Sequence, residues 1–433
     1  MSRSVTLRLV KLSVFRYICL LPFFLIGMPT PAIVHMDLDT FFVSVERLLD
    51  SRLEGKPVMI GGTNGRGVVA SCSYEARKFG VHSGMPMRAA MNLCPEAVVL
   101  RGDTANYSMY SNMVTEIIRE TVPVYEKSSI DEFYIDMTGM DKFFNAYTIT
   151  KDLQERIYKE THLPISFGFA TSKTVAKMAT NEGKPKGNLQ VFPGYEKAFL
   201  APLSTKKIPM VGEQTYKTLR ELGLAKIETV QQMPRKLMKL ALGKNGESIW
   251  KKANGIDFSP VVPYTERKSI SVERTFQEDT IDLKKLKNTL IAMTENLAFQ
   301  LRKNNKLTEN ISVKIRYSDF TTHTMQSSIA YTSADHLLIP KVLDLFDRLF
   351  KKRLLIRLVG VRFSHLVGGG HQINLFDDVE EMINLYNAMD YIRATHGERI
   401  VMRASGMDAR SIGKIMNPFK GDDSALPPAN REF

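Results

Sequence analysis

Cysteine is scarce in this sequence, whose 433 residues include only three. Cys19, Cys72 and Cys94 form no Cys-x-x-Cys pair and have no histidine cluster beside them. The sequence therefore predicts neither a zinc site nor a disulfide framework. Unpaired cysteines suit a reducing compartment, and we expect a cytoplasmic protein.

Long apolar runs are also missing. Residues 17–27, YICLLPFFLIG, form a short apolar run behind four basic residues, which is similar to a signal peptide. The run is too short, and too interrupted by proline, to predict a transmembrane helix. No convincing small-residue cleavage site precedes the first predicted strand. We favour a start at Met28, because the sequence after it looks cytoplasmic; residues 1–27 then come from an upstream start choice, and residues 1–30 are an N-terminal extension outside the domains. A membrane-anchored protein is the alternative, but we expect no stable membrane association.

Acidic residues are outnumbered, 46 against 59 lysines and arginines, and the formal net charge is +13. This balance favours a polyanionic partner, either nucleic acid or an anionic membrane; a basic protein without such a partner is the alternative. Hydrophobic residues make up 44% and charged residues 24%, which predicts folded domains rather than disorder. At about 100–200 residues per domain, the length allows about two to four domains.

The first part of the chain alternates strand and helix patterns. Residues 32–38, AIVHMDL, predict a buried strand, and residues 105–120 and 145–161 predict helices. ISFGFATS predicts another strand that leads into a helix. The pattern indicates strands and helices around one sheet, with a small insert at 43–102.

Residues 200–260 have an all-helical pattern. IPMVGEQTYKTLRELGL predicts a helix, a glycine turn and a second helix. It is similar to a helix-hairpin-helix, whose turn holds a DNA phosphate through backbone N–H groups. Met210 replaces the first glycine usual in that motif, and an ordinary helix pair is the alternative.

The last predicted domain follows a proline-containing linker within 259–268 and has the strand and helix order βαββαβ. Basic residues recur along its predicted strands and can form one charged face for a phosphate backbone; a merely solvated face is the alternative. These residues are Lys268, Arg274, Lys314, Arg316, Arg353, Arg357 and Arg362.

Two acidic patterns end predicted strands. Asp37 and Asp39 lie in HMDLDTFF, and Asp131 and Glu132 lie in SSIDEFYIDM. Carboxylates at the tips of adjacent strands form an all-oxygen site suited to Mg²⁺. Two such ions about 3.5–4 Å apart can activate a 3′ hydroxyl and stabilise a leaving pyrophosphate. Either pattern alone is weak, but both together in one predicted sheet indicate a metal site.

Three segments occur in order along the chain: VHMDLDTFFVSVE, SCSYEARKFGVHSGMPMRAA and SSIDEFYIDM. Together they resemble the Y-family translesion DNA polymerases, and within that family the bacterial DNA polymerase IV group. The resemblance runs from residue 32 to residue 366 and includes RKSISVERTF at the entry to the last domain. It implies an α+β multidomain right-hand polymerase with a ferredoxin-like palm, small fingers, a helical thumb and a βαββαβ little finger.

The resemblance also implies domain bounds and an activity. The expected domains are the palm (31–42 and 103–199), fingers (43–102), thumb (200–260), linker (261–268), little finger (269–366) and tail (367–433). The implied activity is template-directed addition of deoxynucleotides to a primer, with low fidelity and bypass of lesions. The sequence has no further acidic cluster typical of a proofreading exonuclease. We expect a monomer that binds primer-template DNA and deoxynucleoside triphosphates.

Matched position by position, the resemblance makes Asp37, Asp131 and Glu132 the ligands of two Mg²⁺ ions. The backbone carbonyl of Leu38 is implied as a further ligand. Asp39 matches an acidic position of the family, and we expect a structural or capping carboxylate there.

Phe42 matches the family's steric gate, a ring beneath the sugar that leaves no room for a 2′ hydroxyl and so selects deoxyribose. Without the resemblance, Phe41 and Phe42 would be predicted as a core pair on a helix. Tyr74 and Arg77 lie three residues apart, on one helical face, and arginine suits bidentate phosphate contacts. The nucleotide contacts implied are Phe41, Phe42, Ser71, Tyr74, Arg77 and Lys184.

The tail carries a short motif. Gln372, Leu375 and Phe376 belong to QINLF, which follows three consecutive glycines. This segment resembles the peptide by which bacterial polymerases bind the sliding clamp, with leucine and phenylalanine filling an apolar pocket. Residues 378–395 predict a helix and 417–433 predict disorder, whereas HGERIVMRASG has no part in the catalytic interpretation.

Two other function classes remain open. A DNA- and clamp-binding accessory protein on a degenerate polymerase fold would be expected to have lost some of these residues. A palm-domain nucleotidyl cyclase would use the same metal chemistry on two nucleotides. The helix-hairpin-helix-like segment and the basic last domain argue against the cyclase.

Overall fold

A computed structural model of the chain describes residues 30–62, 65–140, 145–369, 379–397 and 400–409. The expected start at Met28, the peptide 372–376 and the tail 417–433 lie outside these ranges. Within them, none of the helices is both long and apolar enough to cross a bilayer.

The strands of the described residues form three sheets. They are β1 (Ile33–Leu38), β2 (Val58–Gly61), β3 (Val69–Cys72), β4 (Val98–Leu100), β5 (Tyr125–Lys127), β6 (Glu132–Asp136), β7 (Ile165–Ala170), β8 (Asn188–Gln190), β9 (Ser269–Thr280), β10 (Lys306–Tyr317), β11 (Thr322–Thr332) and β12 (Ile356–Gly368).

Helices cover these sheets and connect their strands. They are α1 (Phe41–Leu49), α2 (Tyr74–Lys78), α3 (Met87–Leu93), α4 (Thr104–Thr121), α5 (Ala146–Thr161), α6 (Lys173–Gly183), α7 (Glu196–Leu200), α8 (Glu213–Glu221), α9 (Ile227–Gln232), α10 (Arg235–Ala253), α11 (Leu283–Lys303), α12 (Asp335–Leu349) and α13 (Val379–His396).

The first sheet builds the predicted palm, in the order β5-β6-β1-β7-β8. All six residues of β1 are buried, as its apolar pattern predicts. Helices α4 and α5 cover one face, where Val114 and Leu153 share a core with Val34. Helix α6 packs on the other face, and it comes so close to β7 that a Cβ at Gly168 would lie 2.2 Å from Ala176 O.

The predicted insert at 43–102 forms the second sheet, in the order β3-β2-β4. Strand β2 is antiparallel to β3 and parallel to β4. Arg66 reaches from this insert to β9, where its Nη1 lies 2.5 Å from Asp279 Oδ1 and 3.1 Å from Phe276 O. The insert therefore contacts the C-terminal sheet directly.

The helical segment differs from its prediction at one point. IPMVG is not helical and forms a turn instead. The helix pair consists of α8 and α9, joined through Gly223, whose φ is +76°. Met210 is 92% exposed and has a φ of +75°, a left-handed conformation that favours glycine.

The third sheet, β11-β10-β12-β9, is antiparallel throughout, and α11 and α12 pack on one face. The order of its elements confirms the predicted βαββαβ domain.

Part of the predicted basic face lies on the open side of this sheet. Directly paired residues of antiparallel strands point to the same side. Arg362 is paired with Ser312 on β10, where Lys314 and Arg316 also alternate with core residues. Arg274 is instead paired with the core residue Val359, so the prediction of a single face is wrong for Arg274.

Candidate active site

The acidic residues meet where β1 ends beside the start of β6. Asp37 is paired with Glu132, and the Leu38 N–H donates to Asp131 O at 3.0 Å. Asp131 and Glu132 therefore lie at the beginning of a strand, and the prediction that they end one is wrong. Because β1 and β6 are antiparallel, that beginning meets the end of β1, and the acidic patterns share one sheet edge.

Burial disfavours the ionised forms of the Asp37 and Asp131 carboxyl groups. Asp37 is 7% exposed, and burial raises the pKa of its carboxyl to about 7 although Lys184 forms an ion pair with it. Burial also raises the pKa of Asp131, whose Oδ1 accepts a hydrogen bond from Ser129 Oγ at 2.5 Å. A cation placed beside such groups stabilises their ionised forms, so these residues fit a metal site.

Glu132 lies between two nitrogen-bearing side chains. Lys177 Nζ donates to its Oε2 at 2.6 Å, and His35 Nε2 lies 3.7 Å from the same oxygen. Burial disfavours the ionised carboxylate, but the ammonium group of Lys177 favours it, and the pKa of Glu132 lies below its usual range. Glu132 is therefore ionised at neutral pH.

His35 was not singled out in the sequence, although it lies two positions before Asp37 on the same side of β1. His35, Asp37 and Glu132 each have a possible ligand atom, and these three atoms lie within 4.8 Å of one another. Burial lowers the pKa of the imidazole to about 4, so His35 is neutral at physiological pH. The period-two pattern of the strand was the signal that could have identified it.

Asp39 is 1% exposed and has the contacts expected of a structural carboxylate. Its Oδ2 accepts hydrogen bonds from Ser166 Oγ at 2.8 Å and from the Lys186 N–H at 2.7 Å. These bonds fix the turn that follows α6. Lys184 lies on that turn, and its Nζ is 3.8 Å from Asp39 Oδ1.

Helix α1 directs its two phenylalanines differently. Phe41 is 2% exposed in the core, so only its backbone is left for a nucleotide contact. Phe42 is half-buried, and its ring stacks on that of Tyr107 with centroids 4.3 Å apart and planes 11° apart. The Tyr107 hydroxyl donates to Glu46 Oε1 at 2.5 Å. Tyr107 thus supports Phe42, a role that the α4 pattern alone did not reveal.

The remaining predicted nucleotide contacts lie on the second sheet and α2. Arg77 is exposed, and its guanidinium carbon lies 5.0 Å from the centroid of the Tyr74 ring. The Tyr74 hydroxyl is buried and has no hydrogen-bond partner among the described residues. Burial and the charge of Asp39 raise the pKa of this hydroxyl. Ser71 lies on β3 opposite Ile60.

Comparisons with known proteins agree with this arrangement. Residues 36–181 match the impB/mucB/samB family, and residues 267–375 match the C-terminal domain of that family. A protein named DNA polymerase IV from Dehalococcoides mccartyi is 37% identical over 369 residues, which cover 84% of this chain and 95% of that protein. Another of that name, from Streptococcus pneumoniae, is 35% identical over 338 residues, covering 77% and 96%.

The solved structures that are similar to this chain indicate the same family. A Y-family DNA polymerase chimera of Dbh and Dpo4 superposes with a TM-score of 0.68 at 25% identity, covering 78% of this chain and 100% of the chimera. An insertion ternary complex of Dbh DNA polymerase has a TM-score of 0.57 at 25% identity, with the same coverage. Similarity this extensive to the curated relatives shows the family, and the chain belongs to the Y-family DNA polymerases, among the members named DNA polymerase IV.

Proposed function

We propose that this protein extends a DNA primer along a template by two-metal-ion catalysis, with Asp37, Asp131 and Glu132 as the metal ligands. The proposal includes low fidelity, bypass of lesions and no proofreading exonuclease. The observation that carries it is the antiparallel register of β1 and β6, which brings the three carboxylates to one sheet edge. The insertion complex of Dbh DNA polymerase supports a DNA and nucleotide substrate.

Mg²⁺ is the proposed cofactor, and two bound ions would activate the primer 3′ hydroxyl and stabilise the leaving pyrophosphate. Asp37 and Asp131 supply oxygens whose charge burial disfavours, and the Leu38 carbonyl completes the ligand set in this proposal. Oxygen ligands suit the hard Mg²⁺ ion. Ionised Glu132, paired with Lys177, contributes one further carboxylate.

The protein's own side chains position the incoming nucleotide. Phe42, held by its stack on Tyr107, excludes a 2′ hydroxyl. Arg77, Tyr74 and Lys184 bind the triphosphate, with Ser71 and the backbone of Phe41 as further contacts. The exposed guanidinium of Arg77 suits bidentate phosphate binding.

We also propose the domain division and the partners that the sequence indicated. The domains are the palm (31–42 and 103–199), fingers (43–102), thumb (200–260), linker (261–268), little finger (269–366) and tail (367–433). Lys314, Arg316 and Arg362 bind DNA phosphates from the open face of the little finger. The protein acts as a cytoplasmic monomer and binds a sliding clamp through Gln372, Leu375 and Phe376.

Primer extension with Mg²⁺ tests the catalytic assignment on undamaged and lesion-bearing templates. Wild type is expected to extend both, and the double variant Asp131→Ala/Glu132→Ala is expected to extend neither. Asp152→Ala on the outer surface of α5 is the matched control and should extend like wild type. Equal extension by the double variant and wild type would remove the carboxylates from the mechanism. Lack of extension by wild type would favour the accessory-protein alternative.

Deletion of residues 372–376 tests the clamp contact separately. Stimulation of synthesis by a bacterial sliding clamp is expected to disappear, while extension without the clamp stays at the wild-type level. Loss of extension without the clamp would assign these residues a structural role instead.

A further inference from the structure

His35 places a nitrogen atom beside two of the proposed metal ligands. We infer that His35, Asp37 and Glu132 form a binding site for a divalent transition-metal ion of the Mn²⁺ to Zn²⁺ series, overlapping one of the Mg²⁺ positions. The inference rests on the proposed function because it shares two carboxylates with it. It adds a nitrogen ligand that an all-oxygen Mg²⁺ site does not include.

The imidazole is enclosed by the sheet and α6. Its relative exposure is 0%, and Nε2 has no hydrogen-bond partner in the described part of the chain. The nearest acidic atom, Glu132 Oε2, lies 3.7 Å from Nε2, beyond hydrogen-bond distance. An unpaired buried nitrogen is destabilising, and a bound metal ion would give it a partner.

The second ring nitrogen indicates which tautomer faces the carboxylates. Nδ1 lies 2.9 Å from Thr180 Oγ1, and that hydroxyl also lies 2.9 Å from the carbonyl oxygens of His35 and Ala176. The hydroxyl has one proton, and we assign it to these carbonyls, which leaves an oxygen lone pair to accept from the Nδ1 N–H. Neutral His35 then carries its proton on Nδ1, and Nε2, which lies 3.7 Å from Glu132 Oε2, keeps its lone pair.

This is the arrangement of a metal-binding histidine, in which one ring nitrogen donates to a fixed partner and the other binds the ion. The Tyr134 ring also packs edge-to-face on the His35 imidazole, with ring centroids 4.7 Å apart. Thr180 and Tyr134 thus limit rotation of the ring. The position of Nε2 is set before any ion arrives.

The charges already present at the site favour a metal ion that binds strongly to an imidazole nitrogen. Lys177 and Lys184 already neutralise part of the charge of Glu132 and Asp37, so a new cation gains less from the carboxylates alone. Imidazole adds affinity for Mn²⁺, Co²⁺ and Zn²⁺ in increasing order, whereas Mg²⁺ prefers oxygen. Zn²⁺ is therefore expected to compete with Mg²⁺ more strongly than carboxylates alone would allow.

Pulsed electron paramagnetic resonance of the full chain with bound Mn²⁺ tests the nitrogen ligand directly. Wild type is expected to show hyperfine coupling to ¹⁴N, which changes to ¹⁵N coupling when the protein is made with ¹⁵N-histidine. This measurement needs no variant, so it does not depend on whether a substitution at a buried position folds. Bound Mn²⁺ without nitrogen coupling would overturn the inference, and so would failure of Mn²⁺ to bind.

Two variants then assign the coupling to one residue. His35→Asn keeps a hydrogen-bonding group at the Nδ1 position but has no atom at the Nε2 position, and it should lose the coupling. It should also weaken Zn²⁺ binding by about tenfold or more, since loss of even an outer-shell partner costs about 10–100-fold. His35→Gln can place an oxygen near the Nε2 position, and it is expected to bind Zn²⁺ better than His35→Asn without nitrogen coupling.

His396→Asn, an exposed residue at the end of α13, is the control and should keep the coupling. Coupling that survives in folded His35→Asn, with the fold checked by circular dichroism, would assign the ligand elsewhere and overturn the inference. Mg²⁺-dependent extension by wild type is measured in parallel. Extension without nitrogen coupling rejects only this inference, whereas lack of extension rejects the proposed function.

Discussion

At the scale of single residues, Phe42 and Tyr107 form a stacked pair that can be tested one ring at a time. Phe42→Ala removes the ring beneath the sugar, and discrimination against ribonucleotides is expected to fall by at least about tenfold, equivalent to about 1.4 kcal/mol. Tyr107→Ala leaves Phe42 without a stacking contact worth about 0.5–1.5 kcal/mol, so discrimination should fall by about two- to tenfold.

Single-nucleotide insertion kinetics with deoxy- and ribonucleotides measure both effects. Tyr107→Phe keeps the stack and removes only the hydrogen bond to Glu46, so it should stay near wild type. If Tyr107→Ala discriminates as well as wild type, packing of Phe42 within α1 is sufficient to hold the gate.

The raised pKa of Asp37 predicts a pH dependence of Mg²⁺ binding. Below a pKa of about 7 the free site holds a proton on Asp37, and the ion must displace that proton to bind. The apparent Kd for Mg²⁺ should therefore fall by up to about tenfold per pH unit as pH rises towards about 7, and level off above it. Calorimetric titration across this range measures the slope.

Asp37→Asn provides the comparison, because asparagine does not titrate. Its weaker Mg²⁺ binding should lose most of the slope. A slope that persists in Asp37→Asn would assign the proton to another group, such as Asp131, whose pKa is also raised by burial.

At the scale of elements, the turn after α6 depends on Asp39. Asp39→Ala removes the acceptor of the Ser166 hydroxyl and of the Lys186 N–H, and the turn that carries Lys184 is released. A charge-assisted bond of this kind contributes about 1.5–3 kcal/mol, so the KM for the nucleotide should rise by about tenfold or more.

Asp39→Asn keeps an acceptor oxygen and is expected to restore most of the nucleotide affinity. Steady-state kinetics separate the effects, because a positioning role raises KM more than it lowers kcat. A fall in kcat with unchanged KM, equal in the alanine and asparagine variants, would instead indicate that Asp39 binds metal.

Helices and strands with a clear hydrophobic period were predictable from the sequence. The pairing of those strands with one another was not. The run AIVHMDL predicted β1, and alternating strand patterns predicted the βαββαβ domain, because burial fixes those periods. Whether Glu132 begins or ends a strand depends on a partner distant in sequence. The contacts of His35 with Thr180 and of Phe42 with Tyr107 likewise join segments that only the folded sheet brings together.

One predicted helix was wrong, since IPMVG forms a turn in which Met210 has a φ of +75°. The resemblance to a family identified the proposed ligands and the steric gate, which are residues that period and composition treat as ordinary surface acids and core aromatics. It did not identify Tyr107 or His35, because their roles depend on packing beneath the site.

At the scale of the whole molecule, the tail returns to the little finger through α13. Tyr386 is 1% exposed, and its hydroxyl accepts a hydrogen bond from the His336 N–H at 3.1 Å. Arg302 pairs with Asp335 at 2.8 Å and with Asp390 of α13 at 2.5 Å. The tail therefore covers part of the little-finger surface.

The segment HGERIVMRASG, which the catalytic interpretation left aside, completes this contact. Arg403 Nε lies 3.0 Å from Glu295 Oε1 on α11, and the Val401 carbonyl accepts a hydrogen bond from Arg393 Nε at 3.1 Å. Gly406 is buried against α11, where an added Cβ would lie 3.4 Å from Ala292 Cβ. The segment thus holds the chain after α13 against the little finger.

Tyr386→Ala tests whether this docking stabilises the domain. Removal of a buried aromatic ring costs about 3–5 kcal/mol, so α13 and the facing residues of α11 should lose protection from hydrogen exchange. Tyr391→Ala on the same helix is the matched control, because Tyr391 is 72% exposed and its loss should change little. Equal protection in both variants would mean that the ion pairs of Arg302 and the contacts after α13 hold the tail without the Tyr386 ring. Extension without a clamp should be retained in both variants, since the carboxylate edge belongs to a separate sheet.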